Sequence, residues 1–104
     1  MFDPYADFIK AVAQDTQIFQ GQNCVLSHKA LALIGQVIEG YPYSVAITYV
    51  SDRARRANPK ERLALRRLQS HIRTAIQNGL NPEQVGFLVR KMDAFPYVVK
   101  EALS

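Results

Sequence analysis

The stretch YSVAITYVSDRARRA, residues 43–57, decides the fold. Read with a period of two, Tyr43, Val45, Ile47 and Tyr49 alternate with Ser44, Ala46 and Thr48. Those β-branched and aromatic residues suit a strand. Read with a helical period, Tyr43, Ala46, Ile47, Val50, Ala54 and Ala57 fall within one sector. A lone strand is unstable, and the chain offers no second candidate to pair with it. The stretch is therefore expected to be a helix.

Its surroundings read the same way. Asp3-Pro4, Asn58-Pro59 and Asn81-Pro82 each set an Asx side chain before a proline. The Asx oxygen accepts from a free N–H of a first helical turn, and proline there has no N–H to leave unpaired. Ser27 is a fourth cap, and Asn81 with Gln84 loosely matches a capping box. Gly21, Gly40 and Gly79 fall where helices should stop in left-handed positions. Between these marks the apolar spacing predicts helices over about 4–19, 28–39, 59–78 and 82–95. In the first of these Tyr5, Phe8, Ile9, Val12, Thr16 and Phe19 form one stripe. Tyr97 to Leu103 could add a last turn before the C-terminus. The expected fold is an all-α bundle of five helices, or six with that turn, joined by short loops.

Size and composition agree with one domain over 1–104. At 104 residues and 48% hydrophobic the chain can bury roughly two-thirds of its surface without staples. The single cysteine, Cys24, excludes an intramolecular disulfide and fits a reducing compartment. The longest apolar run, Ala30 to Ile34, is far below the ~20 residues a bilayer requires. Asp3 and Asp7 stand where an export signal would be basic. A cytoplasmic location is expected, with no membrane partner.

The formal charge of +4 is unevenly placed. Residues 1–52 carry two basic and five acidic side chains, and residues 74–104 balance at zero. Residues 53–73 carry Arg53, Arg55, Arg56, Lys60, Arg62, Arg66, Arg67 and Arg73 against Glu61 alone, a net of +7. At 100° per residue, Arg62, Arg66 and Arg73 lie within about 40° of one another. Arg67 and Lys60 form a second exposed strip with His71. Part of this is ordinary: basic residues in a last helical turn offset the macrodipole, and arginine-rich faces are commonly just solvated. Seven arginines exceed what capping requires, and arginine rather than lysine suits bidentate recognition of carboxylate or phosphate. Leu63 projects away from its helix's core stripe. Val45 and Tyr49 give helix 43–57 a second apolar face, which also makes it a candidate homodimer surface.

Catalytic chemistry is thin. Cys24 and His28 are four residues apart, but a third orienting group is missing and a lone cysteine is usually a small buried hydrophobe. No glycine-rich phosphate loop and no zinc spacing is present, so no cofactor or metal is expected. A helix-turn-helix over 59–95, turning at Asn78-Gly79-Leu80, would expose Glu83, Gln84, Arg90 and Lys91 to bases. Its strongest cations would then sit on the wrong helix. The sequence points instead to a non-enzymatic binding protein, an adaptor, inhibitor or regulator. It would dock on an acidic protein surface through segment 53–73 with Leu63, Val45 and Tyr49. Its size would suit a phage or mobile-element inhibitor of a host protein. The alternative is a nucleic-acid-binding protein that contacts the phosphate backbone through the same segment.

Overall fold

Residues Tyr43–Arg56 form a helix, α3, in the computed structural model, which describes residues 3–20 and 23–92. Ala46, Val50 and Ala54 make its buried stripe, spaced four apart, so helical period prevails over the alternating one. Tyr43 and Ile47 pack beside them on the core. The other helices are α1 (Pro4–Gln14), α2 (His28–Gly40), α4 (Pro59–Gln77) and α5 (Pro82–Arg90). The expected turn at 97–103 lies outside the described residues, as do Phe95 and Gly21.

The caps form as their residue types dictate. Asp3 accepts from the N–H groups of Tyr5 and Ala6, Ser27 from Ala30, and Asn58 from Glu61. Asn81 and Gln84 complete a reciprocal capping box, each side chain accepting from the other's backbone N–H. Among the described residues Gly79 alone has a positive φ, 108°. There the Leu80 N–H donates to Ala75 O and the Gly79 N–H to Ile76 O, both at 3.1 Å. This is the Schellman closure of α4, with buried Leu80 as its apolar contact. Gly40 does not take the left-handed position expected of it; it is the last residue of α2, and Tyr41 follows in extended conformation.

The first helix departs from its expected length. It ends at Gln14, not near 19, because Asp15 stops it. The Asp15 carboxylate accepts from the Gln17 N–H at 2.9 Å, and its carbonyl accepts from Ile18 and Phe19. An Asx side chain that binds its own backbone two residues on competes with helix continuation. Thr16 is thereby thrown outward, while Ile18 and Phe19 reach the core by another route. A minimal antiparallel pair follows, β1 (Phe19–Gln20) with β2 (Asn23–Cys24), which the sequence pattern did not announce. Two residues per strand carry too little periodicity to read.

The helices form two groups around one core. α4 lies between α1 and α3, while α2 packs against α3 and, most extensively, against α5. The α2–α5 contact is glycine on glycine. A Cβ built on Gly35 would stand 2.6 Å from Gly86 O, and one on Gly86 would stand 2.7 Å from Gly35 O. The stems of Arg90 and Glu39, one turn onward, close over the opposite glycine. Their head groups then pair: Arg90 Nη2 donates to Glu39 Oε1 at 2.9 Å, and Nε lies 2.7 Å from Oε2.

Candidate functional site: the arginine segment of α3 and α4

Segment 53–73 spans the last turn of α3, the Asn58-Pro59 corner and most of α4, and the fold gives its cations different roles. Arg62 turns back on α3. Its Nε donates to Ala54 O and its Nη2 to Ala57 O, both at 3.2 Å. It thereby adds a cationic donor at the C-terminal end of α3, sharing Ala54 O with the Ala57 N–H and serving Ala57 O just beyond the helix. Arg53 donates through Nη1 to the Tyr49 hydroxyl at 3.3 Å. Arg55 pairs with Asp52 one turn back on the exposed surface, a contact that adds little stability.

Arg67 reaches across to α1. Its Nε donates to Asp15 Oδ2 at 2.9 Å, and His71 Nε2 meets the same oxygen at 2.8 Å. The Asp15 side chain is 3% exposed. Burial alone would raise its carboxyl above the usual carboxylate range. The hydrogen bonds from His71 and the Gln17 N–H, with Arg67's bond and charge, outweigh that and hold it below 3.8. The strip expected to be exposed, Arg67 with His71, is thus half committed to a buried acid. Sequence reasoning missed Asp15; its trace was the Arg67–His71 spacing of four residues, a pair of donors on one helix face with an acid elsewhere to bind.

Arg56, Lys60, Arg66 and Arg73 remain. All four are exposed, and their side chains make no ion pair or hydrogen bond among the described residues. Arg66 lines a 260 Å³ groove between α3 and α4 together with Arg55, Thr48, Ser51 and Gln69. Gln69 Nε2 ties the helices there, donating to Ser51 Oγ at 2.7 Å and to Ile47 O at 3.3 Å.

The three apolar residues expected to flank one arginine patch are distributed. Leu63, 46% exposed, lies beside Arg67 in a depression bounded by Gln14 to Gln17. Tyr49 is half-buried and lines a different cleft with Arg53 and Arg56. Val45 is exposed one turn earlier on α3. Each of Leu63 and Tyr49 therefore has arginine beside it, but they do not share one surface pocket.

Cys24 is half-buried in β2, and His28 is exposed at the first position of α2. Among the described residues no group of three or more His, Cys, Asp or Glu side chains could hold a metal ion. Arg90, the base-reading arginine of the helix-turn-helix alternative, is held by Glu39, and α5 is packed on α2 through Gly86. No helix of the described residues is long and apolar enough to cross a membrane. Comparison of the chain with protein families, with curated proteins and with solved structures gives no match.

Proposed function

We propose that this protein is a non-enzymatic docking module, an adaptor, inhibitor or regulator, that binds an acidic protein surface through α3 and α4. One observation carries the reading. Arg56, Lys60, Arg66 and Arg73 are exposed without acidic partners among the described residues, while exposed Leu63 and half-buried Tyr49 stand beside further arginines. Unneutralised like charges on one segment repel one another, and they become favourable when an anionic surface covers them. Arginine and tyrosine are also the residue types that dominate protein interfaces, and apolar neighbours strengthen such contacts by excluding water. A cytoplasmic setting suits a chain with one cysteine.

A second reading draws on the α3–α4 groove. Arg66 is the unengaged guanidinium there and could meet a phosphate oxygen, while Arg55 is paired with Asp52 on the same lining and the Gln69 amide and Thr48 hydroxyl donate within the protein. Gel-shift titration with mixed-sequence duplex DNA and with RNA separates the two. The docking module gives no shift at low salt. Binding whose log–log salt slope is about −3 to −4, as for four engaged cations, would transfer the function to nucleic acid.

A further inference from the structure

We infer that the cleft where the start of α2, the end of α3 and the start of α4 meet is an anchor pocket for an acidic peptide segment of the partner. It would take one aliphatic or aromatic side chain that stands beside a carboxylate. The inference rests on the docking reading above and names what that surface recognises. The cleft has a volume of 510 Å³, within the range of pockets that enclose small ligands. Leu26, Ala30 and Leu65 close its inner end with edges of core side chains that are only 1–6% exposed, so what a hydrophobic group gains by entering is chiefly the removal of its own surface from water.

The opposite wall is cationic and phenolic: Tyr49, Arg53 and Arg56. Arg53 bonds the neutral Tyr49 hydroxyl, so its charge has no counter-ion there, and Arg56 has none among the described residues. Two acids also line the cleft. Asp52 is paired with Arg55, and Glu61 sits in the first turn of α4, where the helix dipole favours a negative charge. Counting Arg55, which pairs with Asp52, three guanidiniums stand against two carboxylates around the cleft, and the excess of one positive charge favours an anion next to an apolar group. An apolar floor alone would accept any hydrophobe; two guanidiniums beside it select one with a carboxylate a residue or two away.

Random twelve-residue peptides displayed on phage, selected against the immobilised full chain, provide the probe. The enriched sequences are synthesised and titrated by calorimetry. Enriched peptides should carry Asp or Glu within two positions of Leu, Phe, Tyr or Trp. Their affinity should fall at least tenfold in Ala57→Phe, which fills the cleft rim, and in Arg56→Glu, a change at an exposed side chain. Peptides that bind both variants as well as the original overturn the pocket. If those peptides instead lose affinity in Arg66→Glu/Arg73→Glu, the docking reading stands without it. A selection that returns no acidic peptide overturns both. A dimer seen by sedimentation and lost in Ala57→Phe would assign the cleft to a second copy of this chain, and that too overturns the inference.

Discussion

Gly35→Ala and Gly86→Ala should each lower stability by roughly 2–3 kcal/mol, the cost of overpacking a closed contact. Alanine normally stabilises a helix interior by about 0.5–1 kcal/mol relative to glycine. Here the sign reverses, because the new methyl would stand 2.6–2.7 Å from a carbonyl oxygen of the facing backbone. A backbone oxygen cannot rotate aside as a side-chain end can. The two helices must separate, and the Arg90 and Glu39 stems that seal the crossing lose their seat. Thermal unfolding followed by circular dichroism should show a midpoint about 10–20 °C lower for either variant. Gly40→Ala is the control. The same substitution in the same helix meets nothing within 4 Å, so it should be neutral or slightly stabilising. Equal losses at Gly35 and Gly40 would mean the α2–α5 crossing is not closed as described.

Asp15→Asn should cost about 2–3 kcal/mol near neutral pH, because it leaves donors facing a neutral amide in a buried position. The exposure of Arg67 keeps the loss below that of a fully buried pair. The effect has a pH signature. The folded-state carboxyl is held below 3.8, so Asp15 contributes stability that is complete above that value. The contribution disappears as pH falls below 3.8 and the folded-state carboxyl takes up its proton. Chemical unfolding at several pH values should show a constant gap between the original and Asp15→Asn above about pH 5, narrowing below pH 4. A gap that persists unchanged at pH 3 would place the stabilisation in packing rather than in the ionised carboxylate.

These two sites also mark where sequence stops being legible. The caps were readable because each depends on residues one to three positions away: Asp3, Ser27, Asn58 and Asn81 all cap as their types require. Helix 43–57 was readable by exclusion, since a strand needs a partner. Gly35 and Gly86 were not, because a glycine inside a helix reads as a weakness until the facing backbone is known. The end of α1 was hidden for a related reason. Phe19 continues the apolar stripe, and the local Asx bond of Asp15 that ends the helix is secured by the distant Arg67 and His71, which the stripe does not show.

The arginine segment was legible as a concentration of charge and illegible in its division of labour. A helical wheel places Arg62 beside Arg66 and Arg73. It cannot show that Ala54 and Ala57 carbonyls lie across from Arg62, or that Asp15 lies across from Arg67. The wheel gives directions; the fold supplies what lies along them.

That division identifies the variant that tests docking most directly. Arg62 and Arg67 hold the fold together, so they are left intact, and Arg56, Lys60, Arg66 and Arg73 are changed to glutamate. Circular dichroism first checks that this quadruple variant keeps its unfolding midpoint within a few degrees. Both chains are then used to capture proteins from a lysate of the cells that express them, with quantitative mass spectrometry as readout. An acidic protein should be retained by the original chain and depleted at least tenfold by the variant. An identical set of captured proteins from both chains would contradict docking through these cations.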